Sequence, residues 1–252
     1  MKEWPHPEAS RHLAEPARPP LVYAIGDVHG RLDLLLALEA MIAADAGSQL
    51  EKTLVVMLGD YVDRGTESPG VLKHLLTPPA QSFRRIALAG NHDLLMLRAA
   101  GDEESASTWL TYGGLRTLAA YGHELDSLEA ALAAGPGWHR GLAARIPQNH
   151  LDLLAGLPFT LSLPGFVFSH AGARRDIALA EHSEHDLLWA RHADAVLAPL
   201  ADTDPVIVHG HTPAATPRVT PGRIGIDTGA FMSERLTALR IDERGGTSFI
   251  ST

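Results

Sequence analysis

Wholly apolar runs alternate with amphipathic stretches along the first hundred positions of the chain. Leu-Val-Tyr-Ala-Ile at 21–25 predicts a strand buried on both faces, and it ends in a glycine turn. Residues 31–44 then carry Leu32, Leu35, Leu36, Leu38 and Ile42 at helical spacing. The same alternation repeats twice, with a strand at 53–58 before a helix near 69–76, and a strand at 85–89 before a helix from about Leu94. Strands alternating with helices predict βαβ units and a largely parallel sheet. Residues 102–157 break this rhythm. They read as short helices interrupted at Gly113, Gly114, Gly122, Gly135 and Gly137, a helical insertion packed near the mouth of any site on the sheet. Apolar runs return at 159–163, 166–169, 206–208, 223–226 and 236–241, which predicts a second sheet facing the first. Residues 1–20 hold Pro5, Pro7, Pro16, Pro19 and Pro20 and few apolar side chains, so a flexible tail is expected there. Residues 21–252 are expected to form a single domain of the α/β class.

The polar residues that interrupt this pattern cluster in five short motifs. They are Gly-Asp-Val-His-Gly at 26–30, Gly-Asp-Tyr-Val-Asp-Arg-Gly at 59–65, Gly-Asn-His-Asp at 90–93, Ser-His-Ala-Gly at 169–172 and Gly-His-Thr at 210–212. Three of them follow the carboxyl end of a predicted strand, where open α/β sheets form their ligand crevice. Together they offer Asp27, His29, Asp60, Asn91, His170 and His211, an oxygen and imidazole set large enough for two divalent ions. Asp27 and His29 are two residues apart and can reach one ion. Asp60 is read as the carboxylate bridging both ions, and Asn91, His170 and His211 complete the second. Two such ions lower the pKa of a shared water from ~15.7 toward ~7, supplying a bridging hydroxide for attack on phosphorus. His92, beside Asn91, is the candidate general acid that protonates the leaving group. Asp63 is placed to pair with it, and the planar fork of Arg64 suits a phosphate. Each motif alone has a plainer reading: Asp and Asn favour turns, and Asp63 with Arg64 would make an ordinary surface ion pair. Their joint, ordered occurrence at strand ends is what points to a two-metal phosphoesterase. His209, two residues before His211, is read as a supporting group at most, and His192 as a surface residue.

Composition narrows the setting. The 252 residues carry 30 acids against 21 bases, a formal charge of −9, with no basic run, which argues against a nucleic-acid binder. No apolar run approaches the ~20 residues needed to span a bilayer, and the N-terminus lacks the apolar core of a secretory signal. Cysteine is absent, so disulfides and thiolate metal sites are excluded. A cytoplasmic protein is the expectation. Oligomeric state is not legible here.

The five motifs, taken together from about Leu21 to Ile241, resemble those of the PPP-type metallophosphoesterases, and most closely the bacterial and lambda-phage-type serine/threonine protein phosphatases. The resemblance implies a two-sheet α/β/β/α sandwich and a dinuclear site, often manganese, although Fe and Zn also suit the ligands. It implies that Asp27, His29 and Asp60 hold one metal while Asp60, Asn91, His170 and His211 hold the other, with His92 and Asp63 as the acid pair and Arg64 on phosphate. It also implies a second phosphate-binding residue, Arg191, from Leu-Leu-Trp-Ala-Arg at 187–191. The segment 109–114 resembles part of the phage-type helical region, and Ile-Asp-Thr-Gly at 226–229 a turn supporting the site. One departure is Asp93, where those phosphatases usually carry glutamate. Gly-Asn-His-Asp is instead common in symmetrical dinucleoside-tetraphosphate hydrolases, although these typically have alanine at the position of Asp63. The expected function is therefore a two-metal phosphomonoesterase acting on phosphoserine or phosphothreonine. Symmetrical hydrolysis of diadenosine tetraphosphate (Ap4A) is the alternative, and a non-catalytic phosphate-binding module is a third. The expected partner is a phosphoprotein or a phosphorylated small molecule.

Overall fold

A computed structural model describes residues 11–123, 127–133, 135, 137–191 and 204–252. Two mixed sheets face each other. The first has the order β11-β10-β2-β3-β4, from β2 (Leu21–Ile25), β3 (Thr53–Met57), β4 (Arg84–Ala87), β10 (Thr237–Ile241) and β11 (Thr247–Ser251). The second has the order β1-β5-β6-β7-β9-β8, from β1 (His12–Ala14), β5 (Thr160–Leu163), β6 (Phe166–Ser169), β7 (Val206–His209), β8 (Arg218–Thr220) and β9 (Arg223–Gly225).

Strands β2, β3 and β4 pair in parallel, as the βαβ pattern requires. Helix α1 (Leu32–Ala46) joins β2 to β3, and α2 (Ser68–Leu76) lies between β3 and β4. The strand side chains divide by parity. Tyr23, Ile25, Val55 and Met57 face the helices with Leu35, Leu38 and Ile42. Val22, Ala24, Leu54 and Val56 face the second sheet, against Leu161, Phe168, Val208 and Ile224. Both faces are covered, which is why these strands are apolar throughout rather than alternating.

Helix α3 (Asn91–Ala99) begins three residues before the predicted start. The Asp93 carboxylate accepts from the Gly90 N–H at 2.9 Å and so caps the turn. Between α3 and β5 the described residues form short helices, α4 (Glu103–Trp109), α5 (Leu115–Ala120), α6 (Leu128–Ala133), α7 (Arg140–Ala143) and α8 (Gln148–Ala155), with a π turn over Leu110–Gly114. No helix among the described residues is long and apolar enough to cross a membrane.

Two expectations need correction. Ordered structure begins before Leu21: β1 pairs in parallel with β5, His12 opposite Thr160, and the Glu15 N–H donates to the Ser162 carbonyl at 3.0 Å. Residues 11–20 are thus not part of a free tail; residues 1–10 lie outside the described set. His-Leu-Ala carries little strand propensity, and this edge strand exists because β5 offers it a partner. The run near 236–241 does not join the second sheet. As β10 it runs antiparallel to β2, with Leu239 opposite Ala24, and carries the chain back to the first sheet.

Candidate active site

The motifs converge where β2, β3, β6 and β7 end. Their backbones are unusual. Among the described residues seven non-glycines have positive φ, and five of them are His29, Asp60, Asp63, Arg64 and His211. Left-handed backbone costs an L-residue roughly 1–2 kcal/mol, and strain of this kind collects where a site fixes its side chains. With φ at 44°, His29 is itself left-handed, so the Asp27–His29 step is a turn rather than extended chain.

Asp60 lies at the centre. Its Oδ2 is 3.4 Å from His29 Nε2, and its Oδ1 is 3.5 Å from His170 Nε2. The two oxygens of one buried carboxylate therefore face two imidazoles on opposite sides. The far nitrogens of both rings are engaged: His29 Nδ1 donates to the Val62 carbonyl at 2.8 Å, and His170 Nδ1 to the Leu58 carbonyl at 2.9 Å. Each Nε2 consequently presents a lone pair to the centre. On the second side Asn91 Oδ1 is 2.8 Å from His170 Nε2 and 3.0 Å from His211 Nδ1, while these two nitrogens are 3.2 Å apart. His211 Nε2 lies 3.2 Å from the Trp189 carbonyl, so it is Nδ1 that faces inward. Three acceptors crowding one point make sense around a cation, and this donor set fits a divalent metal.

The electrostatics agree. Burial pushes the His29 imidazole down to about 3, and burial with neighbouring His170 does the same for His211. Burial also lowers His170. Burial opposes the charge on Asp60, but any positive charge on the rings around it, of which only His92 has its pKa raised, favours the carboxylate and holds this carboxyl below its ordinary range. Asp27 is raised by burial and by Asp227 and Asp60. Neutral imidazoles and mutually repelling carboxyls are a pocket prepared for positive charge. Asp27 is held next to the second group: both of its oxygens accept from the His211 N–H at 3.1 Å. Gly210 makes that approach possible, because a Cβ there would sit 2.0 Å from Asp27 Oδ1.

Beside these ligands lies a second set. His92 Nδ1 donates to Asp63 Oδ2 at 2.7 Å, and Arg64 Nη2 is 3.1 Å from His92 Nε2. Asp63 is fully buried. It also receives the Trp109 indole N–H at 2.9 Å and the Thr117 hydroxyl at 2.7 Å. The helical insertion thus reaches past the site mouth to fix the acid pair. Burial disfavours charge on His92, but Asp60 and Asp63 overcome this and raise its pKa above the ordinary imidazole value. Arg64 packs over the Phe231 ring at 4.8 Å. Tyr112, half exposed, has its ring centroid 6.4 Å from that of His92 and 5.9 Å from that of Trp189, both edge-to-face. Arg191 is exposed, and its charge helps depress His211.

The residues expected from sequence, Asp27, His29, Asp60, Asp63, Arg64, Asn91, His92, His170 and His211, are all brought together here. His209 is not among the inward-facing nitrogens; its Nδ1 lies 3.0 Å from the Gly210 carbonyl. His192 lies outside the described residues. Sequence reasoning missed Trp109, Thr117 and the hydrogen-bonding role of Asp93. The pairing of Tyr112 with Trp189 and the packing of Phe231 on His29 and Arg64 were missed too, since aromatic residues carry no signal of where they converge.

Residues 20–238 match the calcineurin-like phosphoesterase family. The chain belongs to that family. This phosphoesterase is 26% identical over 257 residues to the asymmetrical bis(5'-nucleosyl)-tetraphosphatase PrpE of Oceanobacillus iheyensis, covering 90% of this chain and 91% of the relative. Its fold is similar to a solved structure described as a candidate diadenosine tetraphosphatase, at 20% identity and a TM-score of 0.64, covering 96% and 97% of the two chains. It is also similar to the cold-active protein-tyrosine phosphatase of a psychrophilic Shewanella species, at 17% identity and a TM-score of 0.58, covering 95% and 82%. The phosphoesterase is a metal-dependent phosphoric ester hydrolase of two facing sheets.

Proposed function

We propose that the phosphoesterase cleaves phosphomonoesters with His92 as general acid. Asp27, His29, Asp60, Asn91, His170 and His211 would hold two divalent ions, with Mn²⁺ the first candidate. Bound there, the ions would supply Lewis acidity and a water of lowered pKa. Arg64 and Arg191 would bind the phosphate oxygens, and His92, steadied by Asp63, would give its proton to the departing oxygen. The observation that carries this reading is the 2.7 Å His92–Asp63 contact under a cap of Trp109 and Thr117. A buried, saturated acid pair matters most for an alkoxide, the poorest leaving group of a phosphate ester. Phosphoserine and phosphothreonine in proteins are therefore the leading substrates, and a cysteine-free chain fits the reducing cytoplasm.

A second reading, hydrolysis of dinucleoside tetraphosphates, is favoured by the name of the Oceanobacillus relative and by the pair of Tyr112 and Trp189 beside His92. Such rings can stack on a nucleobase for about 1–3 kcal/mol. The relative's name specifies asymmetrical cleavage, whereas the sequence motifs suggested the symmetrical kind. The deciding experiment is turnover of Mn²⁺-loaded protein on a phosphothreonine peptide, p-nitrophenyl phosphate and Ap4A, with nucleotide products resolved. Preference for the peptide supports the first reading. Preference for Ap4A replaces it by the second, ADP alone marking symmetrical cleavage and ATP with AMP the asymmetrical kind.

A further inference from the structure

Asp93 stands where the sequence departs from the phosphatase pattern, and its surroundings give it a task unrelated to substrate. It is buried and touches no open surface. Its Oδ2 accepts from the Asp60 N–H at 2.8 Å and from the Gly90 N–H at 2.9 Å, and its Oδ1 accepts from the Tyr61 N–H at 2.9 Å. Three backbone donors from two loops thus end on one carboxylate. Asp60 needs such a hold, for its φ is 53° and its preceding glycine has φ 99°. The same turn of chain supports the Asp60 side chain. The His92 N–H donates to Asp60 Oδ1 at 3.0 Å, and a Cβ at Gly90 would lie 2.2 Å from both Asp60 N and Asp60 Oδ1.

We propose that Asp93 is a positioning residue for the dinuclear centre, clamping the left-handed Asp60 backbone so that its two carboxylate oxygens face His29 on one side and His170 on the other. The inference rests on the reading of Asp60 as the bridging ligand. It recasts position 93 as a support of metal affinity rather than a marker of substrate. An isosteric amide cannot do the same work, because Asn offers one acceptor and its NH2 would face a backbone N–H. Groups that orient metal ligands in this way typically contribute about 10- to 100-fold in metal affinity.

The test is Mn²⁺ titration of metal-free protein by calorimetry, together with the electron paramagnetic resonance spectrum of the loaded protein, for wild type, Asp93→Asn, Asp93→Glu and Asp60→Asn. The expected result is affinity weakened about 10- to 100-fold in Asp93→Asn, with the spin-coupled two-ion spectrum giving way to isolated Mn²⁺, and substantial recovery of both in Asp93→Glu, which restores two acceptor oxygens. Wild-type affinity and a coupled spectrum in a folded Asp93→Asn protein would overturn the clamp. So would an Asp93→Glu protein no better than Asp93→Asn. Should Asp93→Asn not fold, Asp93→Ser is titrated in its place against the same criteria. Asp60→Asn separates the two layers of the argument. If it retains two ions, the bridging reading itself fails; if it loses them while Asp93→Asn does not, only the clamp fails.

Discussion

Asp63 and His92 are joined by a 2.7 Å bond between Oδ2 and Nδ1, and neither reaches solvent. Because Asp63 is also saturated by Trp109 and Thr117, the ring has one orientation and its Nε2 edge is directed at Arg64. The consequence is a dependence on leaving group. His92→Asn is expected to lower turnover of a phosphothreonine peptide by about 10² to 10⁴, to lower that of p-nitrophenyl phosphate far less, and to leave Mn²⁺ content unchanged. Equal losses on both substrates would remove His92 from the acid role.

Gly210 is in the site for lack of a side chain. A methyl group there would meet Asp27 Oδ1 at 2.0 Å while the adjacent His211 N–H holds the same carboxylate. Gly210→Ala must therefore displace either Asp27 or the His211 loop. Displacement of a catalytic group by about 1 Å costs about 10²-fold in rate, and overpacking of this kind costs roughly 1–3 kcal/mol in stability. The expected protein is folded, binds Mn²⁺ less tightly and turns over at about a hundredth of the parent rate. Steady-state kinetics with metal analysis on the purified variant would show it, and parental activity would mean the loop yields without moving either ligand.

Strands β2, β3 and β4 and the convergence of the candidate ligands were legible because their signals are local: apolar runs of five residues, each closed by glycine and a polar side chain; β10 was expected in the other sheet, and β11, largely exposed, was not foreseen. The Asp60 motif follows β3 directly, and Asn91 opens α3, so strand-end logic carried them to one place. The supports of the site lacked such signals. Trp109 reaches Asp63 across 46 positions, and Thr117 across 54, through helices whose packing no spacing rule encodes. Hairpin β8–β9 was half hidden: Val-Thr-Pro-Gly at 219–222 does mark a turn, but the exposed Arg218–Thr220 strand buries nothing to announce it. The pairing of β10 with β2 is a long-range choice between two sheets with similar apolar faces.

Away from the site, Glu39, His74 and Arg85 tie α1, α2 and β4 together. Glu39 is fully buried; its Oε2 is 2.8 Å from His74 Nε2 and its Oε1 3.1 Å from Arg85 Nη1. Arg85 also donates to the carbonyls of His74, Leu75 and Thr77 at the end of α2. Glu39→Ala leaves a buried guanidinium without its carboxylate, and breaking a buried pair from one side costs about 3–5 kcal/mol. Thermal unfolding should show a large fall in Tm, with specific activity at 20 °C close to parental. A loss of activity without loss of stability would mean that α2 transmits to the Asp60 loop.

The short strand β1 should respond to pH. His12 Nδ1 lies 2.9 Å from the Thr160 hydroxyl, and burial, with lesser contributions from His182 and Arg11, lowers the His12 pKa. The folded pKa is below the unfolded value of about 6.5, so protonation favours the detached strand. The contribution is therefore fully present above that value and is lost as pH falls through the lowered one. Hydrogen exchange at residues 12–15, corrected for intrinsic rates, should show protection at pH 8 that declines toward pH 5, while β2 and β3 remain protected. In His12→Asn, which has no titrating ring, the difference between β1 and the central strands should no longer vary with pH. If β1 protection in the parent were constant over this range, the strand would be held by its backbone pairing with β5 alone.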